Sequence, residues 1–236
     1  MTTAKGAARL TGLAYLGLAV SGMLAYLIVR QQLYVPGDAG ATLANLTERE
    51  GLARLGVAAD LTVVLTQALA AVGFFRLFRP AGSVAAGAIA AFGLVNAVTI
   101  LVATAFSATA LEIALFETLS HDDRAASAQL LYEVSGAAWD LGGLFFGLWL
   151  LPMGWLAWRS GYMPRLLGWV LLAGGAGYVL STYLHVLVPD VGSWSEAITA
   201  PASLGELWMI AYLLWKGVRP VAEVRPTVGA TVAVAR

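Results

Sequence analysis

The sequence predicts an all-α fold, a polytopic bundle of six transmembrane helices with both termini cytoplasmic. Three observations carry that expectation. Of 236 residues, 59% are hydrophobic and only 12% charged, with a mean hydropathy of +0.77; a soluble domain of this size cannot bury so much apolar surface. The apolar residues gather in stretches of the roughly 20 residues that a helix needs to cross a hydrocarbon core about 30 Å thick. Short polar segments separate the stretches, Arg159-Ser-Gly-Tyr-Met-Pro-Arg165 being the clearest. Strands are disfavoured because the stretches are continuous and rich in Ala, Leu and Gly, whereas a barrel strand is short and alternates in polarity.

The spans fall near residues 10–29, 53–75, 84–108, 128–157, 166–188 and 202–218, so that 1–218 forms one transmembrane domain. Lys5 and Arg9 precede the first span, but its apolar run is too long for a signal-peptide core and no small-x-small cleavage site follows, so it is expected to remain as a helix. Val35-Pro-Gly-Asp38 then predicts a turn, and Ala39 to Leu46 a short surface helix. Thr47-Glu-Arg-Glu50 has capping-box spacing at the start of the second span, and Ser120-His-Asp-Asp123 a weaker version ahead of the fourth. Gly143-x-x-x-Gly147 lets another helix come close, within the bundle or in a homodimer, and Pro152 predicts a kink. Trp155, Trp158 and Tyr162 fit a headgroup belt at the inner face. Residues 219–236, with Pro220 and Pro226, are expected to form a disordered cytoplasmic tail.

Orientation follows from charge. With the N-terminus inside, the inner segments carry Lys5, Arg9, Arg76, Arg79, Arg159, Arg165, Lys216, Arg219, Arg225 and Arg236, against Arg30, Arg49, Arg54 and Arg124 outside. The formal net charge of zero hides this asymmetry, since Glu223 is the one acidic residue on the inner side. The basic face answers to topology and anionic headgroups, and no nucleic-acid partner is expected. With no cysteine in the chain, disulfides, thiolate metal sites and a Cys nucleophile are excluded.

Ionisable residues inside the spans are the main functional signal, because a carboxylate at a helix centre costs about 2.5–3.5 kcal/mol to insert. Asp60, Glu133, Asp140 and Glu206 lie within spans, with Arg54, Glu112 and His185 near their outer ends. Glu133 and Asp140, seven residues apart, share a helix face, as do Asp60 and Gln67. These side chains are expected to converge on a polar cavity in the outer half that binds a small amphiphile, a lipid headgroup or a proton-linked solute. One alternative is a carboxylate and His metal-dependent intramembrane enzyme acting on a lipid, for which the sequence offers no His-Glu-x-x-His or Gly-x-Ser-x-Gly motif. Another is a structural or assembly protein in which the same charges pair with one another. No cofactor and no resident metal are expected; the expected partners are membrane lipids, a small amphiphilic ligand and a second copy of the chain.

A resemblance adds to this reading. Val35-Pro-Gly-Asp-Ala39, Ala59-Asp-Leu61, Asp140-Leu-Gly-Gly-Leu-Phe-Phe-Gly147, Arg159-Ser-Gly-Tyr-Met-Pro-Arg-Leu-Leu-Gly168, Gly205-Glu-Leu-Trp208 and Lys216-Gly-Val218 resemble the bacterial membrane family called domain of unknown function DUF4386, over roughly residues 8 to 218. The resemblance implies a multi-helix protein of the bacterial inner membrane and brings no activity or catalytic residue with it. It includes Asp38, Asp60, Asp140 and Glu206.

Overall fold

Helices account for all the regular structure among the described residues, which in this computed structural model are 4–116, 118–188 and 193–219. The elements are α1 (Ala4–Gly22), a π-helical stretch (Met23–Val29), α2 (Arg30–Leu33), α3 (Ala39–Glu48), α4 (Glu50–Phe78), α5 (Ser83–Leu115), α6 (His121–Arg159), α7 (Arg165–Leu187) and α8 (Ser193–Trp215). Six helical rods are long and apolar enough to cross a membrane: Lys5–Leu33, Glu50–Phe78, Ser83–Leu115, His121–Arg159, Arg165–Leu187 and Ala197–Trp215. The chain is therefore a multi-pass membrane protein. At 1.5 Å per residue, the 39 residues of α6 extend about 58 Å, nearly twice the hydrocarbon thickness, so its polar first turns stand clear of lipid.

Several local expectations hold. Asp38 N–H donates to Val35 O at 3.1 Å to close the turn, with Gly37 at φ 75°, a left-handed conformation that favours glycine. Ser120 Oγ accepts from Asp123 N–H at 3.1 Å and donates to the Asp123 carboxylate at 2.6 Å, capping α6. The Thr47 expectation does not hold. Thr47 lies inside α3, where its hydroxyl donates to Leu43 O and Ala44 O, and Arg49 occupies the N-cap of α4 without a side-chain cap. Asp38 is the cap that the sequence reading missed: its Oδ1 accepts from Ala41 N–H at 2.8 Å. The last helix also differs from 202–218, running through Pro201 and stopping at Trp215, where Gly217 at φ 73° turns the chain.

Each spanning rod packs on the next, and α8 returns to α1, so the six close into a ring, while α3 lies over α4, α5 and α6 at one end. Lipid gives no hydrophobic reason for helices to associate, so close backbone approach and hydrogen bonds must hold the ring. Small residues supply the approach between α6 and α7: a Cβ on Gly147 would stand 2.6 Å from Gly175 O, and one on Gly154 2.8 Å from Gly168 O. Gly143-x-x-x-Gly147 thus serves packing inside the bundle. Gly174 and Gly177 of α7 in turn meet the α8 backbone at Ala202 and Ile198, beside Pro201.

Alternating rod direction brings Lys5, Arg76, Arg79, Arg159, Arg165, Lys216 and Arg219 to one end, called the basic end below. There Tyr162 stacks on Phe78 at 6.2 Å, its carbonyl accepts from Tyr212 Oη and Arg219 N–H, and Arg159 lies 5.1 Å over Trp155. Apart from Arg219, the expected tail lies outside the described residues.

Buried apolar side chains form two clusters. One surrounds Tyr15, Phe74, Phe78 and Trp149 and reaches the basic end; the other, around Val29, Leu33, Leu43, Leu46 and Tyr132, lies under α3.

Candidate functional site

The junction of the two clusters is polar, and its central residue is one that the charge count had assigned to an outer loop. Arg30 begins α2, at the end of the π-helical stretch. Wider π turns change which residues face inward, and such stretches concentrate at functional positions. Here Tyr26, Arg30 and Tyr34 follow at intervals of four, and the guanidinium turns back into the bundle. Arg30 Nη2 donates to Tyr132 O at 2.6 Å and Nη1 reaches Ser135 Oγ at 3.5 Å. Three tyrosine rings surround it, with centroids at 5.2 Å (Tyr34), 5.3 Å (Tyr132) and 6.0 Å (Tyr26). Gly136 makes the approach possible, since a Cβ there would stand 2.6 Å from Nη2. Among the described residues no carboxylate comes within ion-pair distance of Arg30.

Asp60 is the expected site residue that joins this centre. With Arg30, Tyr26, Ser107, Tyr132 and Trp139 it lines a cavity of about 20 Å³, room for about one water molecule. Tyr26, on the cavity wall, donates from Oη to Asp140 Oδ1 at 3.0 Å, which links Asp140 to the same centre although its side chain faces outward. Glu133 is exposed and accepts from Gln129 Nε2 at 3.1 Å, while the same nitrogen donates to Val35 O at 3.3 Å. At Tyr34, which lies beyond the span, burial raises the hydroxyl pKa first and the Glu133 carboxylate second, while Arg30 lowers it.

The remaining expected residues go elsewhere. Glu206 accepts from Tyr15 Oη at 2.6 Å across the α1–α8 contact, a cross-link within the basic-end cluster. His185 stands exposed near the end of α7. Arg54 pairs with Glu50 one turn earlier, Nη2 at 2.6 Å and Nε at 2.7 Å from the same oxygen. Among the described residues no three His, Asp or Glu side chains gather into a metal-holding group. The expected single convergence is therefore corrected: Asp60 and Asp140 share a centre with the unforeseen Arg30, and Glu206, His185 and Arg54 lie apart from it.

Arg54 instead lines a groove of about 280 Å³ between α4 and α5, with Leu61 on α4 and Leu111, Glu112 and Leu115 on α5. Val57 is common to groove and cavity, so the two spaces flank the same stretch of α4. Arg30 was legible in principle through Tyr26-x-x-x-Arg30-x-x-x-Tyr34, a spacing that places two rings beside one cation on a helix.

Known proteins agree with this picture at the level of the family. No solved structure matches the chain. An uncharacterised protein of Archaeoglobus fulgidus is 33% identical over 88 residues, which cover 37% of this chain and 51% of that protein; the chain thus spans about half the length of this relative. The family described as "Domain of unknown function" matches residues 10–217, the whole six-helix ring, and the chain belongs to that family, DUF4386.

Proposed function

We propose that this multi-pass protein resides in the bacterial inner membrane with its basic end and both termini in the cytoplasm, and binds a small amphiphile at its outer half. The α4–α5 groove carries the reading. A zwitterionic phospholipid suits it: apolar chain along Leu61, Ala108 and Leu111, phosphate toward Arg54, ammonium toward Glu112. Both Arg54 bonds to Glu50 use Nε and Nη2, and Nη1 is the donor assigned to phosphate. The Arg30–Asp60 cavity, at about 20 Å³, is too small for a headgroup. The positive-inside bias supports the orientation.

The test is titration of purified protein with lysophosphatidylethanolamine, followed by native mass spectrometry. Arg54→Gln with Glu112→Gln should weaken binding about tenfold, the ~1.4 kcal/mol of two solvent-screened charged contacts at about 0.7 kcal/mol each. A folded double variant that binds as tightly as the parent would overturn the assignment.

A further inference from the structure

A second polar cluster lies in the middle of the bundle, independent of the groove. Gln67 on α4 and Asn96 on α5 are both 0% exposed. Gln67 Nε2 donates to Gly93 O at 3.3 Å. Its Oε1, both amide atoms of Asn96 and the indole nitrogen of Trp149 are buried without a hydrogen-bond partner in the protein. Exchanging O and N on either amide does not help, since Asn96 stays unpaired at both atoms and Gln67 would turn an oxygen toward Gly93 O.

These groups are neighbours. A Cβ built on Gly93 would stand 3.0 Å from the Trp149 ring and 3.5 Å from Gln67 Nε2; one on Gly142 of α6 would stand 3.5 Å from Asn96 Oδ1. Asn96 is one turn of α5 from Gly93. The two glycines let the three helices approach closely around these amides: a Cβ on Gly93 would also stand 2.9 Å from the Ala71 Cβ, and one on Gly142 3.3 Å from Thr99 Cγ2. Val63 and Ile100, 0% and 1% exposed, lie along α4 and α5 between this layer and the Arg30–Asp60 cavity.

Every member is neutral, so the layer supplies no countercharge for an ion, and it offers acceptors and donors together. We propose that Gln67 and Asn96, with Trp149 beside them, form a mid-membrane binding site for ordered water, a neutral molecule that donates and accepts at once. Unpaired amides inside a bilayer are rare in native proteins, and water is the smallest group that satisfies both kinds.

Radiolytic hydroxyl labelling of the intact wild-type protein in nanodiscs tests this, because radicals made from bound water mark the side chains next to it. Trp149 should be oxidised faster than Met163 and Met209, which are 1% and 0% exposed and intrinsically more reactive. Asn96→Leu should lose that labelling and lower the thermal midpoint. Trp149 labelling no faster than that of the two methionines overturns the proposal, as does a rise in midpoint for Asn96→Leu, the response of a dry site relieved of an unpaired amide. If the variant fails to fold, the wild-type labelling alone decides.

Discussion

Replacing Arg30 by Met tests whether the tyrosine-lined cation holds together the half of the bundle away from the basic end. Methionine keeps most of the length and apolar stem of arginine but removes the charge and the hydrogen bonds. The contact to Tyr132 O at 2.6 Å is charge-assisted and contributes about 1.5–3 kcal/mol. The reach to Ser135 Oγ at 3.5 Å sits at the limit of hydrogen bonding and is counted as nothing. One cation shared among rings at 5.2, 5.3 and 6.0 Å adds about 1 kcal/mol in all, since the three contacts are not additive. Against this, Met spares the desolvation of a half-buried guanidinium, which leaves a net loss of about 2–3 kcal/mol. Arg30→Lys should fall between, because an ammonium keeps the charge but not the planar fork. The assay is reversible unfolding in mixed micelles, followed by helical circular dichroism as dodecyl sulfate is added. An Arg30→Met protein as stable as the parent, or more stable, would refute the reasoning and mark Arg30 as a costly charge retained for binding.

Three further outcomes follow from the same geometry. Gly147→Ala, whose Cβ would meet Gly175 O at 2.6 Å, should destabilise by about 1–3 kcal/mol in that assay, whereas Gly87→Ala, with nothing within 4 Å, should be neutral or stabilising by up to ~1 kcal/mol. Ser120→Ala should lose about 1 kcal/mol with the α6 cap, while Thr47→Ala, outside any cap, should stay within ~0.5 kcal/mol. Because the chain has no cysteine, Ser83→Cys and His121→Cys report topology directly: in intact cells an impermeant maleimide should label the second and not the first, and the reverse pattern would invert the proposed orientation.

Amino-acid order alone determined the number and approximate limits of the six spans, the turn at Val35 to Asp38, the cap at Ser120 and the gathering of basic residues at one end. All of these depend on short stretches of chain, because hydropathy adds up locally and a cap or turn is made within about four residues. Tertiary structure decided which side chains meet. Asp60, Glu206 and His185 looked alike as polar residues in apolar runs, yet one faces Arg30 across a water-sized cavity, one is held by Tyr15 and one stands on the surface. The rods are apolar on nearly every side, so no periodicity in the sequence reveals which face turns inward. That rotation is chosen by glycine contacts between neighbours, such as Gly147 on Gly175, and by the π-helical turn ahead of Arg30, which carries inward a cation whose place in the chain had suggested an outer loop.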